Sequence, residues 1–209
     1  MNEPLQCRDI NKLNGVVKEL LIMALDEIRR CGVTPLVVET LRTKERQYWL
    51  YGQGRTAFQL LKKGVPVKYA HKGHIVTQTL NSIHLSGCAV DVVPMRNGKA
   101  VWDANDKDTK KIVAIMNLYG FEAGANWTNF KDSPHFQIKL PSPQYNSVSQ
   151  NNTTPYLTKV IQRALGFSGK DIDGIWGFKT NEAVDKFRAS IGLGGGITLY
   201  TDNLRYLFK

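Results

Sequence analysis

Long apolar runs are missing from this 209-residue sequence. The longest, residues 16–21 and 112–116, are short and broken or bounded by charge, far below the roughly 20 apolar residues that a membrane-spanning helix needs. Cysteine is scarce. Cys7, Cys31 and Cys88 form no CxxC pair, which argues against a disulfide framework or a cysteine zinc site and predicts three reduced thiols. A basic arm is absent too: the net charge is +10, but Lys and Arg are scattered, with pairs such as Lys62-Lys63 and Lys110-Lys111 and no long run. No dedicated nucleic-acid segment is expected; the charge suits an anionic surface or polymer. The start, Met1-Asn2-Glu3-Pro4, carries neither the basic residues nor the apolar stretch of a secretory leader. Synthesis in a cytoplasm is the expectation.

What is present reads as one medium and one small domain. Apolar residues recur at helical spacing over 9–30, with Asp9 as the expected N-cap and Gly32 as the stop. Residues 35–40 read as a strand and 43–53 as a helix ending at Gly54. The stretch 56–78, with Gly64-Val65-Pro66 and Gly73, reads mainly as loop. A strand is expected over 88–93, ended by Pro94, then a turn at 96–99, a short strand over 100–102, a helix over 106–119 and a last strand over 134–140. Residues 141–154, rich in Pro, Ser, Asn and Gln, have linker composition. After them, 156–165, 180–191 and 201–208 read as helices, the second capped by Thr180. The predicted class is α+β, a small antiparallel sheet flanked by helices over 1–140, then a linker over 141–154 and a three-helix domain over 155–209.

Only four histidines occur, so each can be weighed. His84 precedes a Gly turn, Asp91 lies in an apolar strand, and His135 follows Pro134. Two imidazoles and one carboxylate make the three-ligand set of a catalytic zinc, with a fourth position open for water. Each residue alone has a plainer reading, as a core or surface polar group. Asp91 resists it most, because a charge among apolar neighbours needs a partner. His71 and His74, flanking Lys72-Gly73, read as solvated loop residues.

These residues stand in Ser82-Ile83-His84-Leu85-Ser86-Gly87-Cys88-Ala89-Val90-Asp91 and Asp132-Ser133-Pro134-His135. That pattern resembles the metallopeptidase family that includes D-Ala-D-Ala carboxypeptidases and phage L-alanyl-D-glutamate endolysins. Residues 37–42, Gln47, the run 50–56 (Leu-Tyr-Gly-Gln-Gly-Arg-Thr), residues 119–122 and Trp127 resemble the endolysin branch, so the likeness covers about 35–139. It implies a zinc peptidase fold with Zn2+ on His84, Asp91 and His135. It gives Asp132 the general base role and Arg42 the stabilisation of the oxyanion, with Ser82, Gln53, Arg55 and Trp127 lining the substrate site. Plainer roles are a turn cap for Asp132 and a surface ion pair with Glu45 for Arg42; Glu122 and Glu39 are the fallback bases. Cys88 stands where the family has an aliphatic residue and is expected to pack as a small hydrophobe.

Residues 160–167, Asp173-Gly174-Ile175-Trp176-Gly177-Phe178-Lys179-Thr180 and 183–187 resemble the small helical peptidoglycan-binding domain. Gly194-Gly195-Gly196 replaces its second Asp-Gly turn. Together the two resemblances imply a monomeric endolysin, made without a leader, acting on bacterial peptidoglycan and attracted to anionic wall polymers. The rivals are a D-Ala-D-Ala carboxypeptidase and a non-catalytic wall-binding protein; for the second domain, the rival is a structural cap without ligand.

Overall fold

A computed structural model describes residues 2–139 and 147–208. The first long helix, α1 (Gly15–Arg30), begins later than expected: Asp9 caps only a single 3-10 turn, Ile10–Lys12, and Asn14 caps α1 by accepting from the Val16 N–H at 3.1 Å. Its face of Val17, Leu20, Leu21, Ala24 and Ile28 is buried at the i, i+3/i+4 spacing of an amphipathic helix. Strand β1 (Pro35–Glu39) follows, then α2 (Lys44–Gly52), capped by Thr43. The stretch expected as loop contains α3 (Ala57–Leu61), closed by a capping box in which Thr56 and Gln59 satisfy each other's backbone N–H groups. Leu60, Val65 and Tyr69 then join Tyr51 in a small core of their own.

Strand β2 (Ala89–Arg96) runs through Pro94 rather than stopping there. Pro94 faces Pro35 at the far end of the ladder, and its carbonyl still accepts from Val101. Asn97 (φ 51) and Gly98 (φ 74) make the tight turn into β3 (Lys99–Ala100), the left-handed pair that suits a two-residue hairpin. Helix α4 (Lys107–Leu118), capped by Asp106, leads to β4 (Glu122–Ala123) and β5 (His135–Gln137). The sheet is antiparallel in order β1-β2-β5-β4, with β3 paired to one end of β2.

Register places the chemistry. Asp91 pairs with His135 on one side and with Glu39 on the other. The pairing of β1 with β2 slips between Val37 and Glu39, so Val38 is the extra residue and Glu39 stands opposite Asp91. A bulge of this kind re-aims the next side chain. Val90, Val92 and Phe136 lie in the core with α1 and α4, while the row Glu39, Asp91, His135 occupies the alternate positions.

Of the expected linker, residues 141–146 lie outside the described residues. From Ser147 the chain is packed: β6 (Ser147–Val148) pairs with β7 (Leu199–Tyr200), and Val148 is fully buried. Asn152 ties the turn by accepting from the Ser149 N–H and donating to the Ser147 carbonyl. Helices α5 (Pro155–Ala164), α6 (Phe178–Ser190) and α7 (Thr201–Leu207) complete this region. Thr180 lies inside α6, not at its cap: its hydroxyl is buried against Gln162 and the Ile175 carbonyl. Leu157, Ile161, Trp176, Val184, Leu199 and Leu204 share one continuous apolar cluster with α1 and α4. Buried Glu19 of α1 accepts from Arg205 of α7, and Tyr119 meets Phe208 with ring centroids 6.2 Å apart. The three cysteines are free, Cys88 buried in the main core. Among the described residues, no helix is long and apolar enough to cross a membrane.

Candidate active site

His84 lies in a 3-10 turn, Ile83–Ser86, where its own N–H donates to the Ser82 hydroxyl. Gly87 ends the turn at φ 68, and its carbonyl accepts from the Asn14 N–H at 2.9 Å. A Cβ there would sit 3.1 Å from the Lys12 carbonyl oxygen and 3.2 Å from the Asn14 nitrogen. Glycine therefore lets the His84 turn dock against the start of α1. Gly124 does the same for the other histidine: a Cβ there would sit 2.5 Å from the Asp132 carbonyl oxygen and 3.2 Å from the His135 Cβ. The loop carrying Asp132 can close over β5 only because that position has no side chain.

The result is a compact triangle. His84 Nε2 lies 3.1 Å from Asp91 Oδ1 and 3.1 Å from His135 Nδ1, and His135 Nδ1 lies 3.3 Å from Asp91 Oδ1. The outer ring atoms fix what these inner atoms carry. His84 Nδ1 meets the Thr40 carbonyl at 2.7 Å, and His135 Nε2 meets Gln137 Oε1 at 3.1 Å. Both partners accept, so both outer nitrogens donate, and both inner nitrogens present lone pairs when the rings are neutral. Two lone pairs and a carboxylate oxygen then face one another with no donor between them. That arrangement needs a positive charge at its centre. Burial opposes ionisation of Asp91, yet the two histidines hold its carboxyl far below the usual range; burial also opposes a charge on His135, yet Asp91 raises it overall. Both shifts express the same demand, and a divalent metal on two nitrogens and one oxygen meets it.

The triangle forms the floor of a cleft of about 370 Å³. Asp132 lines it, and no side chain among the described residues hydrogen-bonds its carboxylate; burial, then Asp91, pushes its pKa up. Arg42 is partnered by Glu39 at 2.5 Å and Gln47 at 2.9 Å, not by Glu45, and lies 3.7 Å from Asp91 Oδ2; its Nε is buried without a partner. Glu39 also binds Arg46, and Glu122 binds Trp127, Gln137 and Lys139, so both fallback bases are already engaged. Ser82 and Trp127 line the cleft, the Trp127 ring 5.2 Å from that of His135.

Gln53 and Arg55 do not line it. Gln53 bridges to His71, because α2 ends there and turns the chain away. Arg55 stacks over Tyr51 and donates to the Tyr51 and Thr77 carbonyls, which makes it a prop behind the wall. His71 is not a solvated loop residue either: it stacks on Trp49 and donates to the Tyr69 carbonyl; His74 is exposed. The sequence reading missed the wall 76–79, Phe130 and the polar support Gln137; Gln47, named there only as part of the resemblance, supports Arg42 and the Thr79 carbonyl. Gln137, two residues after His135 in a short strand, was the one with a readable signal, since period two returns it to the same face.

An α+β fold sets a His–Asp–His triangle that could hold a metal ion under an open cleft with room for a substrate. Residues 76–138 match the peptidase family described as D-alanyl-D-alanine carboxypeptidase. The chain is 35% identical over 132 residues to the L-alanyl-D-glutamate peptidase of Listeria phage A118, a match over 62% of this chain and 39% of that protein. It is 35% identical over 115 residues to the peptidoglycan L-alanyl-D-glutamate endopeptidase CwlK of Bacillus subtilis (strain 168), over 51% of this chain and 62% of that protein. The chain thus spans less than two thirds of either relative. Among solved structures, the L-Ala D-Glu endopeptidase ChiX of Serratia marcescens matches with 26% identity and a TM-score of 0.44, over 66% of this chain and 92% of that one.

Proposed function

We propose that the protein is a zinc-dependent peptidoglycan peptidase that hydrolyses the L-alanyl-D-glutamate bond of the stem peptide. The observation that carries this is the triangle of His84, Asp91 and His135, whose inner atoms at 3.1–3.3 Å lack any donor between them. A zinc ion held there supplies Lewis acidity and lowers the pKa of a bound water to about 7. The chain supplies the rest. Asp132, in the same cleft and without a side-chain partner among the described residues, takes a proton from the attacking water and returns it to the leaving amine. Arg42, fixed by Glu39 and Gln47 in the cleft wall, sets a positive charge near the oxygen that gains negative charge. Trp127 and Phe130 give the cleft apolar walls, and Ser82 a hydroxyl at its edge.

Residues 155–209 are proposed to hold peptidoglycan, with the net charge of +10 adding attraction to anionic wall polymers. The likeness to a phage peptidase supports a lytic role at the wall. The family description over 76–138 favours a second reading, carboxypeptidase action on D-Ala-D-Ala. Mass spectrometry of fragments released from purified peptidoglycan separates the two. New N-terminal D-glutamate is expected; release of free D-alanine alone would establish the carboxypeptidase instead.

A further inference from the structure

The two histidines of the triangle are held in different ways. His84 leans on a main-chain carbonyl, that of Thr40, which accepts and never donates. His135 leans on a side-chain amide, Gln137, which could present either end. What fixes that amide lies one step further out. Gln137 donates its Nε2 to Glu122 Oε2 at 3.1 Å, and Glu122 Oε1 accepts from Trp127 Nε1 at 2.8 Å. Lys139 stands 3.0 Å from Glu122 Oε2. Indole and ammonium groups only donate, and an ionised carboxylate only accepts.

Polarity therefore passes inward in one direction. Trp127 and Lys139 hold Glu122 as a carboxylate. Glu122 forces the NH2 end of Gln137 outward, which turns its oxygen towards His135. That oxygen requires a proton on His135 Nε2, so the lone pair lies on Nδ1, towards His84 and Asp91. Trp127 closes the ring, since its indole also packs on the His135 imidazole.

We infer that Gln137 is a positioning residue, oriented by Glu122, that sets the tautomer of His135 and so prepares its Nδ1 for the metal. The inference rests on the metal reading of the triangle, but its first consequence belongs to the metal-free protein. There, at alkaline pH where both rings are neutral, the imidazole nitrogen and carbon shifts of His135 should report mainly the Nε2–H tautomer. In Gln137→Met, of similar volume but without an amide, His135 should become a mixture of tautomers. His84, held by Thr40, should stay unchanged as an internal control. Zinc affinity, measured by competition with a chelating dye, should fall about 10- to 100-fold, the usual cost of losing a ligand's outer partner. Glu122→Gln, at a partly exposed position, is the second variant; it frees the amide to flip and should give the same tautomer mixing if Gln137→Met fails to fold.

An unchanged His135 tautomer in the folded variant, with unchanged zinc affinity, would overturn the inference. Absence of zinc binding by the native chain would instead overturn the metal reading, and the tautomer measurement would still decide the role of Gln137.

Discussion

Around the cleft, charged side chains are buried and interlocked. Glu39 binds both Arg42 and Arg46, Arg46 reaches on to Glu3, and the two histidines of the triangle lie within 3.3 Å of Asp91. In residues 147–208 the buried polar groups among the described residues are neutral: Asn152, Thr158, Gln162, Thr180 and Asn203. They satisfy turns and helix starts, as Gln162 does by accepting from Gly174 and donating to Asp173. Burying charge costs free energy unless each charge finds a partner, so a region accumulates it where chemistry requires it. Large apolar side chains are exposed in both regions, among them Ile175 (68%) and Phe178 (82%) beside the Asp173-Gly174 turn. Charge is buried around the cleft, and neutral polar groups are buried in the C-terminal region.

Four substitutions sharpen that contrast. The largest effect is expected at the cleft. Asp132→Ala should retain zinc and fold yet lose about two to four orders of magnitude in turnover on soluble stem peptides, whereas His135→Ala should lose zinc itself. Near-normal turnover in Asp132→Ala would break the proposed division of labour, since Glu39 and Glu122 are already engaged. A second test lies across the boundary. Ile161→Ala empties part of the cluster that α5 shares with α1 and should cost about 2–5 kcal/mol. Because the cluster is continuous, helicity and cleft tryptophan fluorescence should be lost in a single transition at a lower temperature. Two separated transitions would show that the regions unfold independently. The smallest effect is expected behind the cleft wall. Arg55→Ala removes the prop on the Thr77 carbonyl and should raise KM about several-fold with kcat little changed, the sign of lost uniform binding. A fall in kcat alone would put Arg55 in the chemistry.

Much of the frame was legible because it rests on local rules. Thr43 and Asp106 cap the helices where a short polar residue meets an apolar run, and Asn97-Gly98 turns the hairpin where that dipeptide should. Helix α3 was hidden by the glycines and proline after it, although Thr56 and Gln59 stood at capping-box spacing. The end of β2 was misplaced because Pro94 is tolerated where the ladder needs no donor from it. At the site, the triangle residues were readable from their motif. Their supports were not: Glu122 and Gln137 meet only because β4 pairs with β5, and Gln47 and Thr79 only because α2 lies beneath the wall. Partnerships made by register and packing leave no trace in spacing. The bulge at Val38, which brings Glu39 opposite Asp91, is of the same kind.

The core that α1 shares with α5 and α7 also bears on how such a molecule would work on a solid substrate. Two modules on a loose tether sweep a volume, and the anchored enzyme grazes every bond within its radius. Two regions fused through a common core behave as a ruler. If residues 155–209 grip the wall, the cleft meets only those bonds at one offset and one orientation from the grip. After each cut the molecule must let go before it can make another, so the lifetime of attachment, and not its strength alone, would set the pace of lysis.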